Sequence, residues 1–253
     1  MNDIVFATYS VTPKIYGISS IAYKHKYKNI KLKKWSNKDY LTKLLYLKSK
    51  WVVHIDEDAF ITNIDAIENI ITFMKMNDYV CTGMPDGGII PTRFHNPVIC
   101  NPYFLIINRD KLYDIYKFDN SIESYQWDDK YRIYTPDIVK NKCFKYEYDD
   151  FEEYYKFFYW VLSHQQKILY LDANLLNIPN DNISNELLDN NGIPFLIHSW
   201  YSREYYSYKP TLRHVINHLK SDLYDLFHKR KKGTHYDRIN NIIQYYCNTH
   251  VIK

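Results

Sequence analysis

The segment WVVHIDEDAFI, residues 51 to 61, constrains this chain more than any other. Trp51 to Ile55 form a largely apolar run of strand length that ends directly in Asp56-Glu57-Asp58. Such a run suits a strand inside a sheet covered on both faces. Open sheets of that kind take their ligands beyond the carboxyl ends of the strands, where these acids stand. Two carboxylates at i and i+2 fit Mn²⁺ or Mg²⁺, which prefer carboxylate oxygens and substrate phosphates. A bare D-x-D is common, and a plain polar turn after a strand is the competing reading.

The rest of the chain repeats the alternation. Ile4 to Thr8 reads as a strand, with a second near Asn29 to Leu32. Ser36 to Asp39 read as a helix start, and Leu41, Leu44, Leu45 and Leu47 give it an apolar stripe. Helices are expected over Ile64–Met76, Glu152–Ser163, Thr211–His228 and near Tyr236–Tyr246. Strands are expected over Tyr79–Thr82, Tyr103–Ile107, Ile168–Leu171 and Phe195–Ile197. Alternating strands and helices over 253 residues predict one α/β unit, a central sheet flanked by helices with a helical C-terminal appendage. The boundary is placed at residue 210, with 211–253 as the extension.

Three further groups of residues carry polar chemistry. The loop MPDGGIIPTRFHNP, residues 84 to 97, crowds Asp86, Arg93, His95 and Asn96 beside Gly87 and Gly88, and Asn101 follows. Planar polar groups of this kind bind sugar hydroxyls, although a loop held by internal hydrogen bonds uses them equally. Asp86 with His95 is also a candidate acid/base pair. Asp149 and Asp150 precede an aromatic helix, where acids also serve as ordinary caps. His198 ends the strand FLI, and Arg203 lies five residues on, a guanidinium suited to a diphosphate.

In the order of these pieces the chain resembles GT-A glycosyltransferases. The first strand is matched by IVFATYS, the helix and motif strand by YLTKLLYLKSKWVVHIDED, and a strand entered from an Asn-bearing loop by NPYFLIINRDKL. YDDFEEYYKFFYW matches an acidic loop before a helix, and FLIHSW a late histidine. The resemblance implies a Rossmann-like, mixed but mainly parallel sheet. It also implies transfer of a hexose or pentose from a nucleotide-sugar to a glycan hydroxyl, as in polysaccharide synthesis. Asp56, Asp58 and His198 would hold the metal. Thr8, Tyr9, Ser10, Glu57 and Arg203 would meet the nucleotide, with Tyr9 stacking on the base. Asp150, ahead of Asp149 or Glu153, would be the general base of an inverting reaction. Two alternatives stand beside it: a nucleotidyltransferase, which lacks a glycine-rich phosphate loop near residue 10, and a non-catalytic carbohydrate-binding relative.

Composition sharpens these readings. A net charge of +4 argues against nucleic acid as a partner, despite the basic, tyrosine-dotted stretch from Lys24 to Lys34. The 27 tyrosines suit either an AT-rich genome or an aromatic-lined sugar site. Cys81, Cys100, Cys143 and Cys247 show no C-x-x-C spacing, which points to reduced thiols and a cytoplasmic setting. Met1 to Ile4 do not read as a signal peptide, and no stretch is apolar enough to span a bilayer. The basic run Lys229 to Lys232 reads as a solvated loop or as a peripheral contact with anionic lipid.

Overall fold

The computed structural model describes residues 3–32, 40–86, 93, 95–140, 142, 145–178, 181–201 and 234–251. Ser36 to Asp39, Gly87, Gly88, Cys143, Arg203, the helix expected over Thr211–His228 and the run Lys229 to Lys232 lie outside the described residues.

Ten strands are described. They are β1 (Ile4–Tyr9), β2 (Lys28–Leu32), β3 (Trp51–Ile55), β4 (Ala59–Ile61), β5 (Tyr79–Gly83), β6 (Phe104–Asn108), β7 (Lys167–Tyr170), β8 (Ala173–Leu175), β9 (Asn185–Leu188) and β10 (Pro194–His198). Six of them make a sheet ordered β2-β1-β3-β6-β5-β7. β1 runs parallel to β2 and β3, and β5 runs parallel to β7, while β6 opposes both of its neighbours. The sheet is therefore mixed and mainly parallel, as expected. The carboxyl ends of β1, β3 and β5 and the amino end of β6 share one edge. The strand order also reverses at β1, between β2 and β3, which marks the ligand crevice of an open sheet.

Alternate residues of the central strands feed two cores. Val5, Ala7, Val52, Leu105 and Ile107 face one side, and Phe6, Val53, Ile55, Phe104 and Ile106 the other. Fully burying one large apolar side chain stabilises by about 1.5–3 kcal/mol, so a strand apolar on both faces is fixed between two layers. One layer uses α2 (Tyr40–Leu44) and the aromatic helix α6 (Tyr155–Ser163), and the other uses α3 (Asp65–Asn77). Ile67, Ile70, Ile71 and Met74 form the buried stripe of α3, which stops at Asp78 in the left-handed conformation, φ 63°. Gly83 ends β5 because a Cβ there would meet Leu105 Cδ2 at 2.8 Å and the Phe104 carbonyl at 2.9 Å. What it supplies is room for β6.

Among the described residues the other α-helices are α1 (Pro13–Ser19), α4 (Arg109–Phe118), α5 (Asp137–Lys140) and α7 (Thr234–Tyr246). The expected start of α6 at Glu152 moves to Tyr155, because Asp149 to Glu152 are held in the loop before it. Sequence reading missed α1 and α4, although Pro13 at the first turn and the Asn108 side chain accepting from Lys111 N at 3.3 Å are ordinary start signals. It also missed a second, antiparallel sheet, β4-β10-β9-β8, whose strands are too short to declare a period. α7 packs Ile239, Ile242, Ile243 and Tyr246 against Ile15, Phe60 and Ile197.

Candidate functional site

Register builds the first part of the site. β3 carries its chain out of the six-stranded sheet at Asp56, whose amide donates to the Tyr103 carbonyl at 2.9 Å. After a tight turn, β4 begins at Ala59 and pairs antiparallel with β10, Ala59 opposite His198. Asp58 therefore meets His198, and its carbonyl accepts from the backbone and hydroxyl of Ser199 at 3.0 and 3.1 Å. One ligand atom from each of Asp56, Asp58 and His198 lies within 4.8 Å of the others. Asp58 and His198 are buried, with His198 Nε2 at 3.5 Å from Asp58 Oδ1, while Asp56 is partly open to solvent.

This donor set fits a divalent cation. Two carboxylates and an imidazole suit Mn²⁺ or Mg²⁺, and two acids close to one histidine gather negative charge that a cation would offset. His198 Nδ1 is buried without a hydrogen-bond partner, unusual for an imidazole that serves only the fold. The ring is also held in place. It stacks on Tyr103 at 3.9 Å between centroids and packs beside Trp200 at 4.3 Å.

Four residues to which sequence reading gave no role support this cluster: His54, Trp200, Tyr201 and Arg238. His54 is buried in β3; its Nδ1 donates to the Ala7 carbonyl at 2.9 Å, and its Nε2 faces Asp56 Oδ1 at 3.5 Å. The signal was a polar residue in an apolar strand, two positions from Asp56 and so on the same face. Trp200 and Tyr201 sit at φ 58° and 62°, a conformation that costs a non-glycine residue about 1–2 kcal/mol. Buried Arg238 of α7 reaches this turn, donating to the carbonyls of Ser199 and Trp200 and to Ser184 Oγ. Trp200 Nε1 adds a bond to Asn185 Oδ1 at 2.8 Å. Burial pulls the Arg238 guanidinium below its ordinary value, and the charges of Asp181 and Asp58 oppose that. Nothing near position 198 announces a residue forty places further on.

The residues expected at the nucleotide divide. Thr8 Oγ1 pairs with Tyr23 Oη at 3.0 Å, and Ser10 Oγ donates to Glu57 at 2.7 Å. Glu57 also accepts from the Thr12 amide at 2.9 Å, so its buried carboxylate fastens the β1–α1 loop to the acidic turn. Tyr9, half-buried at the end of β1, is the most open of the group at the sheet edge. Arg203 lies outside the described residues.

The second part of the site is assembled from side chains around Asp86. Fully buried, Asp86 accepts a bidentate pair from Arg93, 2.7 Å at Nε and 3.1 Å at Nη2. Asn101 Nδ2 donates to it at 2.7 Å, Tyr154 Oη at 3.1 Å, and Tyr155 Oη closes the set. Burial alone would push the Asp86 carboxyl up, but the Arg93 charge and these bonds hold it below its ordinary value. Asp86 is thus bonded by a set of donors drawn from three segments, whereas His95 bonds a different acid. His95 Nδ1 meets Asp149 Oδ2 at 3.1 Å, and its ring stacks on Phe151 at 3.7 Å. Asn96 is buried and structural, donating to the Asp149 carbonyl and to Tyr159 Oη. Asp150 turns elsewhere and accepts the Trp127 amide at 3.0 Å.

Arg93 joins the two parts. Its guanidinium lies 5.8 Å from the ring of Trp200, beside His198, and 5.9 Å from that of Phe151, beside His95. Burial raises the neighbouring Glu152 carboxyl above its ordinary value, although Arg93 opposes this. Among the described residues no helix is long and apolar enough to cross a membrane.

No family model and no curated protein matches the chain. Among solved structures, it is similar to a glycosyltransferase involved in the glycosylation of the major capsid of PBCV-1, with a TM-score of 0.29 and 8% identity over 58% of this chain and 81% of that one. It is also similar to A197 from STIV, with a TM-score of 0.38 and 15% identity over 78% and 94% of the two chains. At these values neither likeness assigns an activity.

Proposed function

We propose that this chain is a metal-dependent glycosyltransferase that moves a sugar from a nucleoside-diphosphate sugar to a glycan hydroxyl with inversion. The observation that carries this reading is the convergence of Asp56, Asp58 and His198 at the carboxyl end of β3, beside the reversal in strand order. A Mn²⁺ or Mg²⁺ held there would supply charge neutralisation at the diphosphate leaving group. Asp58 and His198 orient the donor set from a buried, stacked position, and half-exposed Asp56 faces the crevice. Tyr9 offers an aromatic face for the base at the same edge. Arg93 and the Asp149–His95 side form the acceptor end, and Asp149 is the acid of the pair nearer to proton chemistry, because Asp150 accepts the Trp127 amide. Residues 1–210 are read as the catalytic unit and 211–253 as its extension, a reading that the packing of α7 on Ile15 and Phe60 supports.

Incubation with Mn²⁺ and a panel of nucleotide-sugars tests this reading. Release of nucleoside diphosphate is the expected result. Release of pyrophosphate from nucleoside triphosphate and sugar phosphate would instead mark a nucleotidyltransferase, and silence with both would leave a carbohydrate-binding relative.

A further inference from the structure

His95 and Asp149 form a pair of titratable groups in the second part of the site. His95 Nδ1 lies 3.1 Å from Asp149 Oδ2, and the ring lies flat on Phe151 at 11° between planes. A carboxylate only accepts, so Nδ1 is the donor of this pair and Nε2 is the nitrogen turned away from it. Among the described residues Nε2 has no hydrogen-bond partner, and the imidazole keeps some exposure, 18% of its side-chain surface. Asp149 is anchored in turn: Asn96 Nδ2 and Tyr159 Oη both donate to its carbonyl, at 3.2 and 2.9 Å. Its Oδ1 is buried and unpartnered, so among the described residues His95 is the group its carboxylate bonds. A base oriented by a third group behind it is the arrangement that activates hydroxyl nucleophiles elsewhere. The exposed ring of Phe151 beside it suits a sugar face, and Arg93 lies between this pair and Trp200 of the metal end.

We infer that His95 is the general base toward the acceptor hydroxyl, with Asp149 as its positioning residue; the inference rests on the transferase reading above. The acceptor O–H bond breaks and its proton passes to His95 Nε2. The freed oxygen pair forms the new bond to the anomeric carbon of the nucleotide-sugar. The bond from that carbon to the diphosphate oxygen breaks, and its electrons leave on the nucleoside diphosphate. Asp149 balances the imidazolium until the proton reaches solvent.

Three measurements on the full chain test the assignment. Long-range ¹H–¹⁵N spectra of the free protein should show His95 protonated at Nδ1 in the wild type, and that preference should be lost in Asp149→Ala. A ring protonated at Nε2 in the wild type overturns the pair whatever the assays show. With the most active donor of the panel, His95→Ala should lose about 10²- to 10⁴-fold in turnover. Its affinity for Mn²⁺ with the matching nucleoside diphosphate should not change. Added imidazole should restore part of that turnover, and a phenolic acceptor, which gives up its proton more easily, should suffer a smaller loss. Turnover within about threefold of wild type, or a loss that neither imidazole nor acceptor acidity alters, removes His95 as the base. A wild type that transfers no sugar to any acceptor fails the transferase reading, while the spectra still decide the pairing.

Discussion

The two ends of the site are built in different ways. The metal end is made by backbone register: β3 delivers Asp56, and the Ala59–His198 pairing brings Asp58 to the imidazole. The end proposed for the acceptor is made by side chains, with one buried carboxylate, Asp86, gathering Arg93, Asn101, Tyr154 and Tyr155 from a loop, a strand entrance and a helix start. Backbone register survives the loss of a side chain, whereas a network around one acid does not. The same kind of substitution should therefore damage chemistry at one end and folding at the other.

The largest contrast should come from Asp58→Ala set against Asp86→Ala. The first should lose about 10³-fold or more in turnover, the equivalent of several kcal/mol of transition-state stabilisation, with its melting temperature close to wild type. The second leaves Arg93 without its buried partner and should lose about 3–5 kcal/mol of stability by denaturant unfolding. An Asp86→Ala protein as stable as wild type would erase the distinction.

Arg238→Lys probes the join between the metal end and α7. A lysine keeps the charge but loses the fork that spans the Ser199 and Trp200 carbonyls. Residues that support ligands in this way typically contribute about 10- to 100-fold in metal affinity, and calorimetry with Mn²⁺ should find a loss of that order. Asp150→Asn should do less. It weakens the bond to the Trp127 amide, so the expected cost is about 0.5–1.5 kcal/mol in stability, with turnover nearly intact. A turnover loss of two orders of magnitude would return the base to Asp150.

Acid should separate the ends most finely. Asp86 is held below its ordinary value in the fold, so the unfolded chain takes up this proton at a higher pH than the folded one. Its stabilising share is complete above about pH 4, the ordinary carboxylate value, and is lost as pH falls through the depressed folded value. Urea unfolding over that window should show a shallower slope for Asp86→Asn than for wild type. Equal slopes would assign the acid sensitivity to other carboxylates.

The sequence was most legible where pattern and backbone coincide. The buried strands β1, β3 and β6 are apolar runs, and WVVHI ending in three acids placed Asp56 and Asp58 at the crevice before any coordinates. His198 was legible from its position after FLI, but its meeting with Asp58 depends on β4, three residues long and invisible as a period. The acceptor end was readable only as a list of polar residues. His95 meets Asp149 across 54 positions, and Tyr154 and Tyr155 reach Asp86 across 68 and 69, separations that no local spacing encodes. Arg238 was hidden for the same reason: it acts through carbonyls 38 and 39 residues away.

The most direct measurement is calorimetric titration of Mn²⁺, with a nucleoside diphosphate present, into the wild type and into Asp56→Ala, Asp58→Ala and His198→Ala. One saturable Mn²⁺ site is expected in the wild type, with its loss or severe weakening in all three variants while their circular dichroism stays native. Unchanged Mn²⁺ affinity in Asp58→Ala and His198→Ala would contradict it, because the cluster would then be a structural turn and the proposed transfer would lose its centre.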